Sequence, residues 1–267
     1  YLELSGFMQK GTPREVSRKE LLERAEVSSQ ILSTLVTKGI FENYGKEISR
    51  LSNNPLHTES PYPLSPIQQK AYNEIIDRFS QKETVLLHGV TSSGKTEIYI
   101  HLIDTVLKQG RQVLYLVPEI ALTTQLTTRL QRVFGNKLSI YHSKFTDNER
   151  VEIWNDLLHD KGAQIILGVR SSIFLPFRDL GLVIVDEEHE GSYKQQEPSP
   201  RYHARNAAIV LASMHGAKTL LGTATPAIES YYNAQCGKYG LVELSSRHEE
   251  IALPRILPIH MGDLRRK

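Results

Sequence analysis

An α/β fold with a mostly parallel sheet, preceded by a small winged-helix domain, is the architecture that the sequence predicts. Three observations favour it: short helical and hairpin patterns occupy residues 1–50, a turn-rich segment covers residues 51–63, and short apolar runs alternate with helical patterns from residue 64 onward. Strands that alternate with helices form parallel sheets covered on both faces, and such sheets bind ligands at the carboxyl ends of their strands.

The first fifty residues carry the pattern of a winged helix. Ser17 precedes a short helical stretch, and Ser28 can cap a second helix that ends at Gly39. The alternating residues 40–48 then suggest a small hairpin. Residues 1–60 hold eight Lys and Arg against eight Asp and Glu, so the surplus positive charge used in phosphate contacts is absent. DNA binding and a packing or protein-contact role are both open for this domain.

The larger part of the chain alternates predicted strands and helices. The strands are predicted at residues 84–88, 112–117, 137–141, 164–167, 182–185 and 219–221. Helices are predicted at residues 96–108, 121–133, 148–158 and 203–214. No run approaches the roughly 18 apolar residues of a membrane span, and the single cysteine, Cys236, excludes an internal disulfide or a multi-cysteine zinc site in these residues. We expect a cytoplasmic protein, a monomer, with no membrane partner.

Residues 89–96 have the Gly-x-x-x-x-Gly-Lys-Thr pattern of a phosphate-binding P-loop. The pattern follows an apolar strand and opens a helix, which is the context that it requires. Backbone N–H groups of such a loop surround the β-phosphate, Lys95 contacts the β and γ oxygens, and the Thr96 hydroxyl binds Mg²⁺. The lobe is therefore predicted to be a RecA-like P-loop NTPase that binds ATP and Mg²⁺ through Gly89, Thr91, Ser92, Ser93, Gly94, Lys95 and Thr96.

A second motif, Asp-Glu-Glu-His at residues 186–189, follows another apolar strand and has the Walker B pattern. Asp186 is predicted to hold Mg²⁺ through water, and Glu187 to orient and deprotonate the attacking water. Together with Lys95 these are the predicted catalytic residues. Gln68, one element before the P-loop, is predicted to bond both hydrogen-bonding edges of adenine; an ordinary exposed glutamine is the alternative.

Around these motifs the sequence resembles the PriA family of superfamily 2 DExH helicases, which act in bacterial replication restart. The resemblance rests on residues 117–123, similar to motif Ia, and on residues 141–143, 168–176, 186–189, 192–195, 200–205 and 222–226. It implies 3′ to 5′ translocation on single-stranded DNA, unwinding at forks, and recruitment of single-strand DNA-binding protein and primosome proteins. RecG, a related fork helicase, is a poorer match.

The resemblance also indicates where DNA binds. Residues 192–205 mix aromatic and cationic side chains of the kind that stack bases and contact phosphates, and the predicted contacts there are Tyr193, Lys194, Tyr202 and Arg205. Thr123 and Arg170 lie in segments suited to phosphate contacts that do not depend on the DNA sequence. Thr223 resembles motif III, which senses the nucleotide state.

The resemblance covers the middle of the family's architecture. We expect a winged helix at residues 1–50, a linker at 51–63, the first motor lobe at 64–252, and at 253–267 the start of a connection to a second lobe and zinc region. An arginine finger, a cysteine-rich zinc insertion and a 3′-end-binding domain have no counterpart in this sequence, so the chain is expected to be a fragment, weakly active alone. Ser92 also departs from the family, which commonly has glycine there.

Two other functions fit parts of the sequence. The first is a nucleotide-regulated DNA or protein binding module without real hydrolysis, although the carboxylate of Glu187 argues against it. The second is a winged-helix transcription factor with an appended ATPase, which would bind duplex DNA sequence-specifically through residues 17–48.

Overall fold

The computed structural model describes residues 16, 18–25, 28–41, 58–121, 123–142, 145–159 and 163–244. The chain divides into two compact units, Tyr1–Ser49 and Arg50–Lys267. None of the helices in the described ranges is long and apolar enough to cross a membrane.

Two helices are described in the first unit, α1 (Arg18–Ala25) and α2 (Ser29–Thr37). Each buries one leucine, Leu21 in α1 and Leu32 in α2. Ser28 has the extended backbone of an N-cap, with φ −75° and ψ 153°, although its side chain makes no capping hydrogen bond. The predicted cap Ser17 and residues 42–48 of the predicted hairpin lie outside the described residues.

The second unit is built on one parallel sheet, which confirms the predicted fold class. Its described strands are β1 (Thr84–Gly89), β2 (Gln112–Leu116), β3 (Leu138–Tyr141), β4 (Ile165–Gly168), β5 (Leu180–Asp186), β6 (Lys218–Thr223) and β7 (Gly240–Leu244). They run in the order β3-β4-β2-β5-β6-β1-β7, with every pairing parallel. The sequence did not predict β7, which has the alternating burial of an edge strand rather than a continuous apolar run.

Helices cover both faces of this sheet. They are α3 (Pro66–Gln81), α4 (Lys95–Lys108), α5 (Thr124–Phe134), α6 (Asp147–Leu158), α7 (Ala204–Met214) and α8 (Ile228–Gln235). One apolar cluster packs α3, α4 and α5 on the first face, and another packs α6, α7 and α8 on the second. The carboxyl ends of the central strands β1, β2, β5 and β6 therefore meet at one edge, where the predicted motifs lie.

Residues 58–63, the described part of the predicted linker, pack against helices of the second unit. The Glu59 backbone N–H donates to the Arg132 carbonyl at 2.7 Å, and the guanidinium of Arg129 lies 3.7 Å from the centre of the Tyr62 ring. Arg129 also forms a two-bond ion pair with Glu97 in α4, at 3.1 and 2.7 Å. The cation–π contact between Arg129 and Tyr62 therefore helps to hold residues 58–63 against α5. The turn-rich composition of the segment did not predict this contact.

Candidate nucleotide and nucleic-acid site

The P-loop leaves β1 at Gly89 and enters α4 at Lys95, as the sequence predicts. Two of its residues have left-handed backbone, Ser92 with φ 62° and Gly94 with φ 80°. A Cβ at Gly89 would lie 3.0 Å from the Ser93 hydroxyl and 3.1 Å from Cδ of Lys95, so a side chain here would require these two side chains to shift by a few tenths of an ångström. Thr91 and Ser92 are exposed, and Thr96 is half-buried in the first turn of α4. The loop has the curled backbone that presents amide groups to a phosphate.

Lys95 lies almost buried at the start of α4. Its Nζ donates to the Gly89 carbonyl at 2.9 Å and lies 3.9 Å from Oε1 of Glu187. The Ser93 hydroxyl is buried and has no hydrogen-bond partner among the described residues. A buried ammonium group, an unsatisfied hydroxyl and the amino-terminal end of a helix suit an anion. The residues present therefore fit a phosphate chain.

Asp186 ends β5 and is held by two buried tyrosines. The Tyr99 hydroxyl donates to Oδ1 at 3.0 Å, the Tyr115 hydroxyl to Oδ2 at 3.2 Å, and the Glu187 N–H to Oδ1 at 3.1 Å. Burial raises the pKa of Asp186 to about 6, and the charge of Glu187 raises it further while Lys95 opposes the shift. A carboxylate at the sheet edge, oriented by hydroxyl donors, fits a divalent cation such as Mg²⁺.

The two tyrosines are functional candidates that the sequence did not reveal. Tyr99 lies in α4 and Tyr115 in β2, with ring centres 5.6 Å apart and edge to face. Burial raises the pKa of both hydroxyls well above the ordinary value, so they remain protonated donors to Asp186. A Cβ on Gly222 of β6 would collide with the Tyr99 hydroxyl, so this strand must carry glycine there. The available signal was a tyrosine on the buried strand β2 for Tyr115, and α4 offered no comparable signal for Tyr99 because its sequence is mixed.

Glu187 and His189 connect the acidic motif to the segment after β6. Glu187 has a left-handed backbone, with φ 46°, and its Oε2 lies 3.7 Å from Nδ1 of His189. Nδ1 of His189 is 2.8 Å from the Thr223 hydroxyl, and Nε2 is 3.3 Å from the Thr225 hydroxyl. Thr223 is fully buried, and its hydroxyl also accepts from the Thr225 N–H at 3.1 Å. Its predicted role in nucleotide sensing would therefore operate through this histidine.

Gln68 is buried and not an exposed surface residue. Its Oε1 accepts from the Ser65 N–H at 2.8 Å in a capping box at the start of α3, and its Nε2 donates to the Gly94 carbonyl at 3.3 Å. Both amide groups are thus engaged inside the protein. In this structure Gln68 supports the P-loop and does not offer its amide to a base.

Arg205, one of the predicted DNA contacts, lies in a buried ion pair. It lies in the first turn of α7, is 7% exposed, and its Nη1 is 2.7 Å from Oε2 of the fully buried Glu188. The same carboxylate accepts from the Ser230 hydroxyl and the Ala227 N–H, each at 2.7 Å. Because a buried carboxylate requires a counter-charge, Arg205 is held inside the lobe in this structure, and its contact with a DNA phosphate stays a prediction.

Tyr193, another predicted DNA contact, is also buried. Its ring is 1% exposed, and its hydroxyl donates to the Asp186 carbonyl at 2.6 Å and the Leu116 carbonyl at 3.1 Å. The side chain joins the carboxyl ends of β5 and β2, and no face of the ring is open to a base. Its role is to fix the backbone next to Asp186.

The other predicted DNA contacts lie on loops at the same sheet edge. Thr123 is exposed and caps α5, its hydroxyl accepting from the Leu126 N–H at 3.3 Å. Arg170 follows β4, is half-buried and donates to the Ser192 carbonyl at 3.1 Å. Lys194 is exposed and Tyr202 half-buried in the segment between β5 and α7. The structure thus places these four on loops that follow β2, β4 and β5.

A P-loop after β1 and an Asp-Glu-Glu-His motif at the end of β5, two strands apart at the same edge of a parallel sheet, define a motor lobe of the RecA-like helicase type. The chain belongs to the DEAD/DEAH box helicase family, whose model matches residues 65–234. Residues 1–48 match the model of a winged helix domain of PriA helicase, Bacteroidota, which confirms the predicted winged helix.

Curated relatives support the resemblance seen in the sequence. The chain is 39% identical over 253 residues to replication restart protein PriA of Bacillus subtilis (strain 168), covering 93% of this chain and 31% of the relative. It is 47% identical over 249 residues to replication restart protein PriA of Rickettsia felis (strain ATCC VR-1525 / URRWXCal2), covering 88% and 38%. The chain spans about a third of the length of these relatives.

Solved structures confirm the fold alone. RecG bound to a three-way DNA junction matches with a TM-score of 0.52 and 19% identity, covering 84% of this chain and 26% of that one. The DUF1998 helicase MrfA bound to DNA matches with a TM-score of 0.50 and 17% identity, covering 83% and 30%.

Proposed function

We propose that this chain is the winged helix and first motor lobe of an ATP-dependent DNA helicase that acts in replication restart and primosome assembly. The observation that carries the proposal is the meeting of two motifs at one sheet edge, where Nζ of Lys95 lies 3.9 Å from Oε1 of Glu187. Family membership and the relatives' name support the same conclusion. We assign the motor lobe to residues 64–252, as the sequence suggests.

Each residue at this edge would have a separate role in ATP hydrolysis. Thr96 and Asp186 would hold Mg²⁺, which supplies charge neutralisation between the β- and γ-phosphates. Lys95 would exchange its bond to the Gly89 carbonyl for phosphate oxygens. Glu187 would take a proton from the attacking water as oxygen adds to the γ-phosphorus and the bond to the bridging oxygen breaks. The left-handed backbone of Glu187 is the kind of local strain found at functional sites.

The DNA partner would lie along the loops that follow β2, β4 and β5, over Thr123, Arg170, Lys194 and Tyr202. Translocation 3′ to 5′ on single-stranded DNA, action at forks, and contact with single-strand DNA-binding protein and primosome proteins are proposed from the family resemblance. We propose a cytoplasmic monomer. Any zinc site would belong to parts of the longer relatives that this chain does not match.

Two measurements test the proposal. The chain should bind a fluorescent ATP analogue with Mg²⁺, and Lys95→Ala should weaken binding at least tenfold; equal binding by both would refute the site. Turnover by the chain alone should be low, because an arginine finger supplies about three to five orders of magnitude where one is used.

The catalytic role needs a protein that carries both motor lobes. There Glu187→Gln should abolish DNA-stimulated hydrolysis while nucleotide still binds. Equal hydrolysis by wild type and variant would favour the alternative, a nucleotide-regulated binding module.

A further inference from the structure

Phe174 is an exposed aromatic residue between buried apolar residues. It ends the 3₁₀ turn Arg170–Phe174 that follows β4, and 56% of its surface is exposed. Its apolar neighbours Ile173, Leu175 and Phe177 are all buried in the second apolar cluster. The turn thus directs one large ring outward at the sheet edge that carries the predicted DNA contacts.

A second ring lies against it. Tyr202, from the segment between β5 and α7, meets Phe174 edge to face with ring centres 5.0 Å apart and an angle of 76°. Tyr202 is fixed in turn, because its carbonyl accepts from the Gln195 N–H at 2.9 Å and the adjoining His203 pairs with Lys194 in an antiparallel bridge. Two loops from different strands are therefore joined by an aromatic pair at the surface.

Cationic side chains lie in the same two segments as this pair. Arg170 lies close enough that its charge lowers the pKa of the Tyr202 hydroxyl, against the larger effect of burial, which raises it. Lys194 is exposed, and the exposed Arg201 lies 3.6 Å from Glu197, a solvent-screened pair of small energy. Exposed aromatic surface bordered by cations is the combination that stacks bases and holds the adjoining phosphates.

We propose that Phe174 and Tyr202 form a stacking platform for a base of single-stranded DNA, with Phe174 supplying the exposed ring. Single-stranded DNA fits because it offers an uncovered base face and a flanking phosphate to the same patch, whereas duplex DNA covers both faces of every internal base. The inference rests on the proposed function, since it places DNA on the loops beyond β4 and β5. It adds Phe174, an uncharged residue of the segment 168–176 that was not among the predicted DNA contacts.

The test measures binding of the 267-residue chain to a labelled oligothymidylate by fluorescence anisotropy over a range of salt concentrations. Phe174→Ala should weaken binding about tenfold, within the range of base stacking on one aromatic side chain. The dependence of log Kd on log salt should keep its slope, because phenylalanine releases no counterions. Phe174→Tyr should restore binding to within about twofold of wild type, while Phe174→Leu, which keeps an apolar side chain without a π face, should not.

A matched control is available in Tyr232 of α8. It is 66% exposed, and α8 packs against β1 and β7, four and five strands away from β4 in the sheet. Tyr232→Ala should bind DNA as wild type does. An oligonucleotide carrying 2-aminopurine should show quenching on the wild-type chain and on Phe174→Tyr, and none on Phe174→Ala.

Wild-type affinity of both Phe174→Ala and Phe174→Leu would overturn the platform, and so would equal losses in Phe174→Ala and Tyr232→Ala. Absence of DNA binding by the wild-type chain would overturn it as well. ATP-analogue binding measured on the same samples separates this inference from the proposed function. If the analogue binds and Lys95→Ala weakens that binding at least tenfold, the nucleotide site stands even when the platform fails.

Discussion

Nη1 of Arg205 lies 2.7 Å from Oε2 of Glu188, and both side chains are buried. Glu188 stands between the proposed base Glu187 and His189, which contacts Thr223. Its other bonds go to the Ala227 N–H and the Ser230 hydroxyl, at the start of α8. A single carboxylate thus ties the amino-terminal ends of α7 and α8 to the acidic motif, and the third residue of that motif, Glu188, has a structural role.

Removing Arg205 should therefore destabilise the lobe strongly. Arg205→Ala leaves the Glu188 carboxylate buried without a counter-charge, which costs about 3–5 kcal/mol in the free energy of unfolding. Urea denaturation followed by circular dichroism measures the loss. Arg201→Ala is the control, since its exposed side chain should change stability by less than about 0.5 kcal/mol. A change below about 1 kcal/mol for Arg205→Ala would show that the ion pair is not the constraint inferred from burial.

Tyr193→Phe should affect stability and not DNA binding. The substitution removes the hydroxyl that donates to the Asp186 and Leu116 carbonyls, at an expected cost of about 1–2 kcal/mol. The buried ring stays, so the affinity for single-stranded DNA should match wild type. Tyr232→Phe, at an exposed position, controls for loss of a tyrosine hydroxyl. Weaker DNA binding with unchanged stability would instead support the prediction from the sequence that Tyr193 contacts DNA.

The sequence predicted short local motifs well, and it predicted poorly which side chains face the interior of the lobe. The P-loop and the acidic motif are short patterns with a required strand and helix context, so Lys95 and Asp186 could be placed correctly at one edge. The composition of residues 192–205 suggested a DNA loop, but composition does not show which side chains face inward, and Tyr193 and Arg205 do. The contacts of Asp186 with Tyr99 and Tyr115 join residues 87 and 71 positions apart and have no local signature.

Glycine at position 92 should make the P-loop more stable than alanine at the same position. With a φ of 62°, the Ser92 backbone is left-handed, and this conformation costs a residue that carries a Cβ roughly 1–2 kcal/mol. Ser92→Gly and Ser92→Ala both remove the hydroxyl, and only alanine keeps the Cβ. We expect the glycine variant to be more stable than the alanine variant by about 1 kcal/mol in thermal unfolding, because part of the gain is offset by entropy of the unfolded chain. Equal stability would indicate that the loop relaxes away from this backbone.

Gln68→Ala should weaken nucleotide binding without changing base preference. The side chain links the Ser65 N–H at the start of α3 to the Gly94 carbonyl of the P-loop, so its removal loosens the phosphate site and not a base pocket. Loss of a hydrogen bond worth about 1 kcal/mol corresponds to roughly fivefold weaker affinity. Displacement of a fluorescent nucleotide by ATP and by GTP should show the same loss for both.

The neighbouring Gln69 is a matched control for this variant, because its exposed amide bonds only to Asn73 among the described residues. Gln69→Ala should leave both affinities at the wild-type value. A loss in Gln68→Ala that is confined to ATP would instead assign Gln68 to adenine, as the sequence alone predicts. That outcome would require the amide to leave Gly94 when nucleotide binds, so the comparison of two bases separates support of the loop from recognition of the base.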